Sequence, residues 1–290
     1  MKPPRFEYFA PRTLDDALAL LAARGDRAKV LAGGQSLIPL LNFRLAQPEA
    51  LIDINRIGGL DQVRTDNGGL AIGALTRLSA AERSETIRQR APIVVEACHL
   101  IGHLPIRHRG TVGGNLAHAD PASELPAVMV ALEAELVVAR GGSTRRVSAE
   151  QFFVGPLSTS IESGELLTDV RVPALPPRTG SAFVEMARRA GDFALVGVAA
   201  LITLDGSGRC GRARITLCGV GPTPIRARAA EEALVGQALA GAVIEEAATR
   251  AAAATHPPSD VHGSADFRKR LAGHFTRQAI ERAAERARGM

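Results

Sequence analysis

Three prolines within five positions, Pro173, Pro176 and Pro177, prevent that stretch from continuing either a helix or a central strand, because each fixes φ and removes a backbone donor. The chain is therefore expected to divide there. At 290 residues it exceeds the usual size of one compact unit, and a break at this point leaves a C-terminal domain spanning 176–290. The longer N-terminal part shows a second division. Thr13 precedes Leu14, Ala17, Leu18 and Leu21, an amphipathic stripe with Asp15 and Asp16 in its first turn and Gly25 past its end, which predicts a capped helix. Ala28 to Leu31 and Leu51 to Ile54 read as short strands, closing a first subdomain over 1–58.

A second subdomain, 59–175, opens near Leu60. Leu70 to Ala74 reads as a strand, Thr76 to Gln89 as one polar helix, and a further helix follows Pro92. Ser123 to Leu132 reads as another helix, and Glu135 to Val138 as a strand ending in Gly141-Gly142. Beyond the prolines, Ala182 to Arg189, Leu195 to Leu204 and Arg212 to Val220 read as three strands, with Ala-rich helices from Ala227 onward. The fold class is α+β throughout.

Composition narrows the function. The net charge is +5, but the basic residues are nearly all Arg interleaved with Asp and Glu, and one Tyr with no Trp leaves no aromatic platform for bases, so nucleic-acid binding is not expected. No apolar run approaches the ~18 residues of a transmembrane helix. The segment after Met1 does not resemble a secretory signal, from which a cytoplasmic location is expected. Cys98, Cys210 and Cys218 are too few for a disulfide framework or a complete iron–sulfur site.

Ala32-Gly33-Gly34-Gln35-Ser36-Leu37 follows a strand, and its glycines permit a turn that aims successive N–H groups at one point, as an anion requires; a purely structural turn has the same signature. Gln35 and Ser36 would add side-chain donors. Thr111-Val112-Gly113-Gly114-Asn115 repeats the pattern far downstream. Two such amide cradles could wrap the linked phosphates of a dinucleotide without a Lys or Arg clamp. Gly206-Ser207-Gly208-Arg209-Cys210-Gly211 matches the dinucleotide fingerprint GxGxxG literally, but Arg214 to Leu217 alternates like a strand where that fingerprint needs a helix, so a hairpin turn is expected. His99 and His103 have the spacing of a helical metal pair but lack a third ligand, which leaves surface or a cleft wall as the reading. Asp120, Ser123 and Glu124 follow the second glycine turn. Ser123 or Asp120 serves equally well as a helix cap or as a ligand contact.

AGGQSLIPLLNFRL at 32–45, IDIN at 52–55, RGTVGGNLAHADPASELPA at 109–127 and ARRAGDFA at 187–194 resemble, in order, the FAD-binding medium subunits of molybdenum hydroxylases, the group that contains carbon monoxide dehydrogenase and xanthine dehydrogenase. The resemblance implies a two-subdomain FAD module of the vanillyl-alcohol-oxidase (PCMH) type, followed by a small C-terminal α+β domain. By that likeness Ala32, Gly33, Gly34, Gln35, Ser36 and Leu37, with Thr111, Gly113, Gly114 and Asn115, hold the FAD pyrophosphate. Ile101 lies against the isoalloxazine, Glu124 meets the sugar-like portion, where Asp120 also stands, and Leu167 lines the adenine side. Arg188, Arg189 and Asp192 match a stretch near the exposed face of the flavin. The resemblance further implies a large subunit carrying the molybdenum cofactor and a small subunit carrying [2Fe-2S] clusters, assembled as a dimer of heterotrimers in which this chain relays electrons to an external acceptor. Two other functions fit the same turns: a stand-alone flavin oxidase, and a nucleotide-binding interaction protein without redox work.

Overall fold

The computed structural model describes residues 2–289. Three larger sheets organise the described residues, beside a small two-stranded one formed by Phe153–Gly155 and Ser158–Thr159. The first is parallel and three-stranded, with Ala50–Asp53 between Glu7–Phe9 and Ala28–Leu31. Parallel strands need crossovers: the helix Leu14–Arg24, which buries Ala17, Leu18 and Leu21, joins the two outer strands, and the short helix Leu37–Asn42 lies on the connection from Ala28–Leu31 to its neighbour Ala50–Asp53. The ends of Leu14–Arg24 follow the sequence signals: the Thr13 side chain accepts from the Asp16 N–H at 3.1 Å, and Gly25 takes φ +55°.

The second sheet is antiparallel and five-stranded, in the order Val63–Asp66, Gly69–Gly73, Leu166–Val172, Glu135–Arg140, Ser143–Ser148. The helices Pro92–Leu100 and Glu124–Ala131 pack over it, the latter buried on every side. The single polar helix expected over Thr76 to Gln89 is two short helices, Leu78–Arg83 and Glu85–Arg90. The break falls at Ser84, whose extended backbone leaves the first helix and whose hydroxyl caps the second by accepting from the Ile87 N–H at 3.3 Å. A serine inside a polar run looks like helix surface, and only its local backbone bonding reveals the cap.

The third sheet follows the prolines and has four antiparallel strands rather than three: Thr179–Ala187, Ala194–Leu204, Cys210–Cys218 and the two-residue edge Ile225–Arg226, too short to alternate visibly. One face carries Ala182, Val184, Val198 and Ile202 against the C-terminal helices, where Ala279, Ala283 and Ala287 of Ala265–Arg288 allow close approach. The other face sends Phe183, Ala199 and Leu201 into the core of the second sheet. Both faces are covered, so Ala194–Leu204 reads as a nearly continuous apolar run. Gly206 to Gly211 lies on a hairpin: the Asp205 carboxylate accepts from the N–H groups of Ser207 and Arg209 at 2.8 and 2.9 Å. Among the described residues, no helix is long and apolar enough to cross a membrane.

Candidate functional site

A cavity of about 800 Å³ opens where the first two sheet regions meet, with the loop carrying Gly191, Asp192 and Phe193 also on its wall. Ala32 through Leu37 lie on it, as do Ile101, Thr111, Gly113, Gly114, Asn115, Asp120, Glu124 and Leu167.

The first glycine turn links the strand Ala28–Leu31 to the short helix Leu37–Asn42. Gly34 holds φ +72°, a conformation that residues with a Cβ rarely adopt. Gly33 is required by proximity instead, because an added Cβ would stand 2.8 Å from the Gly110 Cα and collide with the Arg109 carbonyl. The carbonyls of Ala32, Gly33 and Gly34 each accept a hydrogen bond. The Asn55 amide donates to Ala32 O at 2.8 Å, the Gln35 amide to Gly33 O at 3.0 Å, and the Ile38 N–H to Gly34 O at 3.0 Å. The N–H of a trans peptide points opposite to its carbonyl, so the Gly33, Gly34 and Gln35 N–H groups are turned the other way. Among the described residues, no acceptor stands against the N–H groups of Gly33, Gly34, Gln35, Ser36 or Leu37. Five free amides around one turn on a cavity wall are suited to holding an anion. One of the two side-chain amide hydrogens of Gln35 goes to the turn itself.

The second glycine turn is chemically different from the first. It begins the helix Val112–His118, and its amides are already bonded: Val112 N–H to Thr76 O at 2.9 Å, Gly113 N–H to Ala74 O at 2.8 Å, Gly114 N–H to the Thr111 hydroxyl at 3.0 Å, Asn115 N–H to Thr111 O at 3.0 Å. The expected second amide cradle is therefore a tight wall. Its glycines serve close packing, since a Cβ on Gly113 would stand 2.8 Å from the Ala74 Cα and one on Gly114 2.7 Å from the Thr111 Oγ1. What this turn offers a ligand is the Asn115 side chain. Ser123 Oγ donates to Asn115 Oδ1 at 2.9 Å, which leaves the amide hydrogens for the cavity.

Ser123 thus caps no helix, although it precedes Glu124–Ala131, and Asp120 accepts from the Ala122 N–H at 2.9 Å within its own turn. Glu124 is only 3% exposed. Burial, with Glu185 and Asp120 adding repulsion, pushes its carboxyl from the ordinary 4.5 up to about 8, so at neutral pH it is a donor as well as an acceptor. Burial alone pushes Glu185 up to about 7. The thiols of Cys98 and Cys218 are fully enclosed, and their pKa values are raised by burial.

Ile101 is 7% exposed and Leu167 4%, both apolar parts of the wall. His99 and Arg107 instead share Glu82, at 2.8 and 3.0 Å, and no cluster among the described residues is suited to a metal ion. Of the ARRAGDFA stretch, Asp192 reaches the cavity, whereas Arg188 donates to the His262 carbonyl at 3.1 Å. Most of the stretch from Leu157 to Leu166 also lines the cavity, with Glu162, Gly164 and Glu165 among its residues, and sequence reasoning did not single it out because its one glycine has no glycine neighbour to mark a turn of the kind seen at Gly33-Gly34. Two buttressing residues, Asn55 and Arg77, lie just behind the glycine turns.

Residues 4–175 match the family model of the FAD binding domain in molybdopterin dehydrogenase, and residues 181–283 that of the CO dehydrogenase flavoprotein C-terminal domain. The chain is 45% identical to the alpha subunit of the 6-hydroxypseudooxynicotine dehydrogenase complex of Paenarthrobacter nicotinovorans, over 99% of this chain and 97% of that one. It is 42% identical to the beta subunit of caffeine dehydrogenase from Pseudomonas sp. (strain CBB1), with the same coverage. Among solved structures, carbon monoxide dehydrogenase from Hydrogenophaga pseudoflava superposes with a TM-score of 0.96 at 40% identity, over 99% of both chains. With both family models in sequence order and relatives matched from end to end, this chain belongs to the FAD-binding medium subunits of the molybdenum hydroxylases, as an oxidoreductase subunit whose molybdenum and iron–sulfur cofactors reside on partner subunits.

Proposed function

We propose that this chain takes electrons from the iron–sulfur clusters of a small partner subunit and passes them to an external acceptor, while a large partner carries out hydroxylation at molybdenum. The observation that carries this reading is the single cavity in which the free amides of Gly33 to Leu37 share a wall with Thr111, Gly113, Gly114 and Asn115. Bound FAD supplies a ring that accepts electrons from one partner and releases them to another. The protein's part is to hold and orient it. The amides of the first turn neutralise the pyrophosphate, and the Asn115 side chain adds a donor from the second. Glu124, neutral at pH 7, donates to the sugar-like portion, with Asp120 beside it. Ile101 flanks the ring and Leu167 the adenine. No acid or base in this chain is needed for hydroxylation.

The relatives are named for caffeine, carbon monoxide and 6-hydroxypseudooxynicotine, a variety that supports placing substrate choice on the large partner. We assign residues 1–58 and 59–175 to the two FAD-binding subdomains, residues 176–290 to the C-terminal domain, the assembly to a dimer of heterotrimers, and its location to the cytoplasm. Anaerobic mixing of the flavin-loaded chain with the pre-reduced small subunit is expected to bleach the flavin band near ~450 nm. No bleaching, or substrate hydroxylation by the isolated chain, contradicts the relay. Direct bleaching by small alcohols or amines favours a stand-alone oxidase.

A further inference from the structure

Neither Arg77 nor Asn55 lines the cavity, yet together they hold the backbone behind both glycine turns. Arg77 Nη2 donates to Asn55 Oδ1 at 2.6 Å, and Asn55 Nδ2 donates in turn to Ala32 O at 2.8 Å. The other arm of the same guanidinium, Nη1, donates to the Arg109 carbonyl, the group that an added Cβ on Gly33 would strike. The backbone of Arg77 also pairs with Thr111 across an isolated antiparallel bridge, and the flanking peptides exchange Leu78 N–H to Gly110 O and Val112 N–H to Thr76 O, both at 2.9 Å. One planar fork therefore spans from the first turn to the lead-in of the second.

On the reading that this cavity holds the pyrophosphate of FAD, we infer that Arg77 and Asn55 are positioning residues that set the aim of the anion cradle. The physical reason lies in the Ala32–Gly33 peptide. Its carbonyl is drawn toward Asn55, so its N–H is presented in the opposite direction. Without the Asn55 donor this peptide is free to rotate, and the cradle loses the alignment that makes several weak donors act on one anion. Asn55 does not hold this pose alone: Arg77 fixes its Oδ1, and the Asp53 carboxylate, which accepts from its Nδ2, opposes turning the amide over. Arg is needed there in preference to Lys, because two acceptors on different segments must be met by one rigid plane. Asp53 Oδ1 completes the anchor, accepting from the Asn55 N–H at 2.9 Å and from its Nδ2 at 2.6 Å.

The test is binding of FAD and, separately, of ADP, which carries the diphosphate but no flavin, to the flavin-stripped full-length chain and to its Asn55→Asp, Arg77→Met and Arg77→Lys variants. Asn55→Asp keeps the size and the acceptor for Arg77 but removes the donor to Ala32, and it is expected to weaken both ligands by at least ~tenfold, the cost of about one hydrogen bond to a charged group. Arg77→Met is expected to do the same, Arg77→Lys to fall between, and the Asn55→Asp/Arg77→Met double variant to lose little more than either single, because the two act in series. Melting temperature is followed in parallel, so that binding lost through unfolding is recognised; Arg77→Lys, the mildest change, then still decides the matter. Unchanged affinity in the folded variants, or equal weakening of riboflavin, which has no phosphate, overturns the brace. A wild-type chain that binds neither FAD nor ADP overturns the pyrophosphate assignment itself.

Discussion

Gly114 stands against Ala32: a Cβ added to the glycine would lie 3.7 Å from the alanine Cβ, although the two residues are far apart in the sequence. The two glycine turns therefore form one wall, and they divide its work. The first presents free amides, and the second supplies close packing and a single side-chain amide.

Gly33→Ala forces a methyl group into the Arg109–Gly110 backbone, and neither side of that contact is a flexible side chain. Overpacking of this kind costs about 1–3 kcal/mol, and here the strain falls on the cradle. Flavin content after purification is expected to drop sharply, with a lower melting temperature. Gly206→Ala, in the GxGxxG hairpin where an added Cβ meets nothing within 4 Å, is expected to leave both unchanged. Flavin loss in the Gly206 variant would revive the fingerprint reading.

Asn115→Ala removes the side-chain amide donor that the second turn offers. A hydrogen bond to a charged group contributes about 1.5–3 kcal/mol, so FAD affinity should fall by roughly ten- to a hundredfold in equilibrium titration. Ser123→Ala releases Asn115 Oδ1 without deleting the donor and should cost less. Equal losses in the two variants would mean that Asn115 acts only through Ser123.

Thr111→Val deletes the hydroxyl that accepts from the Gly114 N–H at 3.0 Å, uncapping Val112–His118. Loss of such a cap costs about 0.5–2 kcal/mol, which chemical denaturation should register. Thr111→Ser, which retains the acceptor, should recover most of it.

Glu124 gives a pH signature. Its pKa in the folded protein is raised from 4.5 to about 8, so the folded state holds a proton that the unfolded chain has released. The associated stability is present in full below pH 4.5 and is lost as pH rises toward 8. Glu185, raised to about 7 by burial, acts in the same direction. Melting temperatures of the flavin-free chain should decline between pH 5 and 8, and Glu124→Gln, which cannot ionise, should flatten that decline. A variant that follows the wild-type pH profile unchanged would remove Glu124 from this role.

Much of the fold is legible in the sequence where one local rule decides the outcome. Thr13 and Gly25 bracket a helix through capping and a positive φ, and Pro173, Pro176 and Pro177 separate the second sheet from the third. Ser84 was not legible, because the break it makes rests on one hydroxyl-to-backbone bond inside a polar stretch. At the site, the glycine pairs stand out, but two different physical reasons produce the same letters. Gly34 is a matter of backbone angle, Gly33 and Gly113 are matters of distance to partners far away in sequence, and Gly114 is one of distance to the Thr111 hydroxyl three residues before it. For that reason the second turn reads as a cradle in sequence and is a wall in three dimensions. Arg77 resembles any surface arginine until the Arg109 carbonyl is brought to it by the fold.

On the proposed function, the free amides of Gly33 to Leu37 hold a pyrophosphate. Titrating the flavin-stripped chain with FAD, riboflavin and ADP tests it most directly. FAD should bind at about one per chain, ADP should compete with it, and riboflavin should bind at least ~100-fold more weakly, since it lacks the group the amides hold. Riboflavin binding as tightly as FAD, with ADP failing to compete, would contradict the account.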